Sequence, residues 1–139
     1  MAYKTRFTPK NPNKYIGTKK ELTCRSLWER RVCKFLDENC HVTKWSFEEV
    51  EIPYVSPLDK KVHRYIPDFL VQVEQSNIKK SMLIEVKPKK QVKLKESASG
   101  KERLMFAVNK AKWEAAQRFC EKHNIEFKIL TEEEIFHGN

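Results

Sequence analysis

The sequence has no apolar run of about 18 residues, so no membrane-spanning helix and no membrane partner are expected. Its opening, MAYKTRFTPK, lacks the apolar core of a signal peptide, which points to a cytoplasmic chain. There is no C-x-x-C pair. The four cysteines, Cys24, Cys33, Cys40 and Cys120, are expected to be free thiols of a reducing compartment. A zinc set drawn from Cys33, Cys40 and His41 fits no common ligand spacing. No internal repeat or low-complexity segment occurs. No RNP-like aromatic motif is present either, which ranks an RNA-binding module last. Acid is missing from the start: Lys4, Arg6, Lys10, Lys14, Lys19 and Lys20 meet no Asp or Glu before Glu21.

What is present is enough for one domain spanning 1–139, with 1–20 as a basic arm broken by Pro9, Pro12 and Gly17. A hydrophobic content of 40% with eight Phe argues for a folded chain. Lys and Arg number 28 against 19 Asp and Glu, a net charge of +9. That balance favours a polyanion, nucleic acid before an anionic membrane, over a merely solvated basic surface.

The expected elements are a helix over 23–39, strands over 42–56, 62–74 and 81–87, a helix over 101–123, a strand over 125–130 and a last short helix from TEEEIF. Leu27, Trp28, Val32, Phe35 and Leu36 would form the buried face of the first helix, with Thr23 or Ser26 as its cap. Leu104, Val108, Ala111, Ala115 and Phe119 would do so in the second. Pro67, unable to donate to a ladder, predicts a bulge or strand edge. Short turns suit an antiparallel meander of three strands, and the long helix a crossover to a parallel fourth. The fold class is therefore α/β, a mixed four-stranded sheet flanked by helices.

The stretch HRYIPDFLV, then MLIEVKPKK, carries the chemistry. Asp68 and Glu85 lie in runs of β-branched and aromatic residues, where a carboxylate must be paired, hydrogen-bonded or bound to a metal. Strand alternation puts Glu85 and Lys87 on one side, and a hairpin brings Asp68 to them. Two carboxylates with a backbone carbonyl, that of Val86, make an all-oxygen set suited to Mg²⁺ or Mn²⁺, as one or two ions. Glu29 would add a third acid, although Ser26-x-x-Glu29 also reads as a capping box. The competing readings are turn chemistry for Pro67-Asp68 and a solvated ion pair for Glu85 and Lys87. Arg25, His63 and Arg64 are candidate phosphate contacts. Lys89, Lys90, Lys93 and Lys95 form a candidate electrostatic rail, with Lys112 on the second helix.

Pro67-Asp68 followed by Glu85-Val86-Lys87 resembles the PD-(D/E)XK pattern of restriction-endonuclease-like nucleases. The string HRYIPDFLV…LIEVKP is similar to the TnsA-like endonuclease group. RSLWERR, EVEIPY, KVHRYIPDF, LIEVKPKKQ and NKAKWEAAQRFC…FKILTEEE resemble the small head-completion proteins of contractile-tailed bacteriophages, over about 15–134. The resemblance implies an αβββαβ core and a metal-dependent endonuclease cutting double-stranded DNA at the portal as a filled head is finished. It implies Glu29, Asp68 and Glu85 as metal ligands and Lys87 as the catalytic lysine. The expected setting is the infected bacterium's cytoplasm or the virion, with portal or head–neck proteins, or a second copy of the chain, as further partners. The alternative is a non-catalytic DNA-binding protein that plugs the filled head.

Overall fold

The computed structural model describes residues 4–137. The first three residues of the basic arm lie outside them. The rest of the arm is folded onto the body. β1 (Thr5–Phe7) pairs antiparallel with β2 (Leu22–Cys24), and Pro12–Lys14 form a 3-10 turn. Polar contacts tie this segment to the first helix. The buried Asp37 carboxylate accepts from the backbone N–H groups of Lys10 and Asn11, at 2.8 and 3.2 Å. Lys14 Nζ donates to the carbonyls of Asp37 and Asn39, where a cation offsets the negative helix end.

Helix α1 runs Leu27–Glu38, four residues shorter at its start than expected. Thr23 is taken into β2, and Ser26 is the cap, its Oγ accepting from Glu29 N at 3.0 Å. The buried face is Val32, Cys33, Leu36 and Asp37, while Leu27 and Phe35 are exposed. The expected stripe is thus rotated, because the arm claims the Asp37 side.

The two long strands expected over 42–56 and 62–74 each split in two. β3 (Val42–Phe47) and β6 (Phe69–Gln75) pair in the main sheet. Between them β4 (Ile52–Val55) and β5 (Val62–Tyr65) leave it as a separate two-stranded ribbon. Glu48, at φ 55°, turns the chain out, and Ile66-Pro67-Asp68 turn it back. Pro67 sits at this boundary, between strands rather than within one, since it has no N–H to give a ladder.

β7 (Ile78–Val86) follows β6 through Ser76 and Asn77, both with positive φ, as a tight two-residue hairpin requires. Helix α2 (Gly100–Lys122), capped by a Ser99–Glu102 capping box, then carries the chain to β8 (Glu126–Leu130). α3 (Glu132–His137) closes the described chain, with Glu134 bonding back to Thr131. The main sheet has the order β3-β6-β7-β8, antiparallel except for the parallel β7–β8 pair. Phe69, Val71 and Ile84 face α1 and the arm, packed on Trp45 and Phe47. Leu83 faces α2 together with Ile52, Tyr54 and Tyr65 of the ribbon root.

Candidate active site

β6 and β7 are the two central strands, and their register brings the acids together. Phe69 pairs with Ile84, which leaves Asp68 beside Glu85 at the strand end. Val86 N donates to Asp68 Oδ2 at 2.7 Å and fixes that carboxyl. Glu85 falls on the α2 side with Leu83, and Lys87 Nζ lies 3.9 Å from Glu85 Oε2. Both acids are largely enclosed. Burial, then the Glu85 charge, pushes the Asp68 carboxyl from 3.8 up to about 8 against the opposing Val86 hydrogen bond. Glu85 is also raised by burial, opposed by Tyr65 and the Lys87 and Lys112 ammonium groups. Glu85 Oε1 and the Tyr65 hydroxyl are fully buried and neither makes a hydrogen bond of good geometry. Lys112 reaches from α2 over the rings of Tyr54 and Tyr65, 5.9 and 5.8 Å from their centres.

Glu29 occupies the third position of α1, and its Oε1 accepts from the backbone N–H of Arg25 at 2.8 Å. It therefore serves the helix start, one residue removed from a true capping box. Burial raises its pKa as well, and the Glu48 charge adds to that. Arg25 is exposed but already carries an acid partner. Its Nη1 donates to both Glu48 oxygens, at 2.9 and 2.7 Å. Glu48 N in turn donates to Asp68 O at 2.8 Å. Arg25 thus stands between two carboxylates, at the edge of the Asp68–Glu85 pair.

Of the lysine rail, Lys90, Lys93 and Lys95 line a cleft of about 630 Å³ together with Lys87, Lys101 and Lys112. Met105, Phe106 and Leu94 form its apolar part. Lys89 points elsewhere, its Nζ on Glu133 and its backbone N–H on Glu132 at the start of α3. His63 pairs with Asp59 at 2.8 Å and Arg64 with Glu51 at 2.8 Å, both exposed on the ribbon. The cysteines form no zinc set: Cys33 is buried 3.8 Å from Cys24 Sγ, while Cys40 is exposed beyond α1.

Three neighbours of the site were not singled out from the sequence. Tyr65 precedes Asp68 by three residues and reads as an ordinary strand aromatic. Lys101 is one more lysine in a basic stretch. Glu48 sits in Glu-Glu-Val-Glu, which reads as strand alternation; its left-handed backbone has no sequence signal of the kind glycine or asparagine would give.

The donors fit a hard divalent cation. They are carboxylate oxygens, two of them so close that each is raised by burial or by its neighbour, and one, Glu85 Oε1, is buried without a donor. The set is not closed: among the described residues no three of His, Cys, Asp or Glu are gathered as ready ligands.

Two acids and a lysine thus lie together at the end of a mixed sheet, in a chain that comparison with known proteins places among nucleases. The family model for the TnsA-like endonuclease N-terminal domain matches residues 39–132, and the chain belongs to that family. The matched span holds Asp68, Glu85 and Lys87 but begins after Arg25 and Glu29. The chain is also similar to the head completion nuclease of Enterobacteria phage T4, with 36% identity over 143 aligned positions that cover 96% of this chain and 93% of the relative. No helix among the described residues is long and apolar enough to cross a membrane.

Proposed function

We propose that the chain is a single-domain, divalent-metal-dependent endonuclease that hydrolyses DNA phosphodiesters as a phage head is completed. The observation that carries this reading is the enclosed Asp68–Glu85 pair at the end of β6 and β7, with Lys87 Nζ 3.9 Å from Glu85. Asp68 and Glu85, with the Val86 carbonyl, would hold Mg²⁺ or Mn²⁺, and Glu29 would join them on leaving the Arg25 N–H. Held by these residues, such a cation would supply Lewis acidity toward the scissile phosphate and the attacking water.

The chain's own groups do the rest. Lys87 orients the attacking water through its Nζ or offsets the charge that develops on phosphorus. Lys112 and Tyr65 lie beside Glu85 on the α2 side and favour its charged form. The lysines of the cleft bind the phosphate backbone and supply affinity without base readout. The substrate is double-stranded DNA, and the setting is an infected cell, with portal or neck proteins or a second copy as docking partners.

Incubation with supercoiled plasmid and Mn²⁺ tests the reading. Nicking or linearisation should appear and vanish in EDTA, and Glu85→Gln should abolish it. Wild-type cutting by a folded Glu85→Gln protein would remove the site assignment. A second reading, DNA binding without cleavage, draws on the engaged state of Glu29 and the open ligand set. It predicts tight, salt-sensitive binding and an intact plasmid under every divalent ion.

A further inference from the structure

The geometry points to a DNA-reading element beyond the catalytic centre: we propose that the β4–β5 ribbon lies in the major groove of the duplex beside the bond that is cut. This rests on the nuclease reading above and extends it to substrate positioning.

The ribbon is inserted between β3 and β6, adjacent strands of the main sheet. It leaves the sheet just past the Phe47–Phe69 pair, at the end where Asp68 and Glu85 sit. A duplex whose phosphate meets Glu85 must therefore pass the ribbon. Its root is fixed, since Ile52, Tyr54 and Tyr65 are buried against α2.

The opposite face has no packing partner among the described residues. Val55 and Val62 form a cross-strand pair, 57% and 70% exposed, and Leu58 at the turn is 58% exposed. Three aliphatic side chains on so small an element are more than scattered surface residues. Around them, Arg64 pairs with Glu51, Asp59 accepts from the His63 ring, and Lys60 and Lys61 at the turn make no ion pair among the described residues. An apolar tip flanked by unmatched lysines suits base edges between two phosphate backbones.

Size selects the groove. The major groove, about 12 Å wide, admits a two-stranded ribbon as it stands, whereas the minor groove at about 6 Å takes one only when the duplex is widened or bent. From Tyr65 at the root to Val62 is a rise of about 10 Å. At about 3.4 Å per base pair along each strand, the valine pair meets bases about three base pairs from the site, and Leu58 reaches a little further. The apolar group offered there by DNA is the thymine C5 methyl.

Two measurements test this. A duplex carrying 5-iodouracil, which places its photoreactive atom in the major groove, is irradiated with the Glu85→Gln protein so that it stays uncut. Crosslinked peptides should come from residues 52–65. Separately, wild type and Val55→Ser/Val62→Ser are titrated with thymine DNA and with the same duplex made with uracil. Loss of the methyls should weaken wild type about fourfold, the size of a lost methyl contact, and leave the double variant unchanged. Both positions are exposed, so the variant should fold; unchanged circular dichroism verifies it. Crosslinks confined to the lysine loop and α2, or identical responses of the two proteins to uracil, overturn the ribbon's role while leaving the nuclease reading intact; the ribbon would then face a protein partner. A wild type that neither binds nor cuts DNA overturns both.

Discussion

Replacement of Asp68 by Asn should stabilise the protein while it abolishes cutting. The Asp68 carboxyl is held at about 8 against an ordinary 3.8, mainly by burial and then by Glu85. Between those values the folded chain keeps a proton that the unfolded chain gives up. The group's contribution is therefore least unfavourable below pH 4, and stability is lost as pH rises from about 4 to about 8. Neutral pH lies about three pH units above the ordinary value, so the loss there is about 4 kcal/mol as an upper bound. Asparagine cannot ionise, yet its Oδ1 can still accept from Val86 N. In EDTA at pH 7.5, Asp68→Asn should be about 2–4 kcal/mol more stable than wild type, and within about 1 kcal/mol of it at pH 4.5. Urea unfolding followed by tryptophan fluorescence at a series of pH values measures both. Mn²⁺ should then raise the stability of wild type at pH 7.5 by mass action, and that of the variant much less. Parallel pH curves for the two proteins, or a variant less stable at pH 7.5, would refute the claim that the pair is a strained, cation-seeking centre.

Lys87→Met keeps the aliphatic stem and removes the ammonium group; plasmid nicking should fall by at least about a hundredfold with unfolding free energy changed by about 1 kcal/mol or less. Ser26→Ala removes the α1 cap that accepts from Glu29 N, and thermal unfolding should register a loss of about 1 kcal/mol. Simultaneous Gln substitution of Lys90, Lys93 and Lys95, which line the cleft, should reduce the slope of log affinity against log salt by about 2–3. Adding Lys89→Gln should change that slope little further, because Lys89 is paired with Glu133; a slope change equal to that of the other three would place Lys89 on the DNA.

The sheet was legible because its signals are local. Alternation marks β6 and β7, two polar residues mark their turn, and a long amphipathic helix before β8 marks the parallel crossover. The Asp68–Glu85–Lys87 arrangement was legible for the same reason: alternation and a hairpin are enough to place all three. The ribbon was not. Residues 42–56 and 62–74 are each rich enough in strand formers to read as one run, and the change of partners leaves only a weak local mark, the slip of apolar phase across Glu48-Glu49 from Trp45 and Phe47 to Val50, Ile52 and Tyr54. That change is made by Glu48, whose N–H goes to Asp68 O rather than to a ladder, and by Pro67, which can join none. Pro67 predicts a bulge or a strand edge, and it stands between β5 and β6, where the chain returns from its excursion. The first helix shows the complementary limit. Its period is correct, but which face is buried depends on a basic arm whose grip, the Asp37 carboxylate on the Lys10 and Asn11 amides, spans more than twenty residues.

These two illegible features meet at the acids. Glu48 and Pro67 are the hinge points of the ribbon, and they also deliver Asp68. A strand that ran straight through 62–74 would hold Asp68 within the ladder, its N–H and C=O spent on neighbours. Because the chain instead re-enters at Pro67, Asp68 precedes the first ladder pair, its carbonyl takes Glu48 N and its carboxylate takes Val86 N. The same departure swings Tyr65 over Glu85 and sets Glu48 against Arg25. The ribbon is thus not an appendage to a finished site: its insertion is what turns a sheet end into a pocket of competing carboxylates. A deletion that replaced 49–66 with a tight turn would keep β3 and β6 paired and the α1-side core filled. It would nevertheless remove Tyr65 and loosen Asp68, so metal-induced stabilisation should disappear along with cutting, even where the shortened chain still unfolds cooperatively.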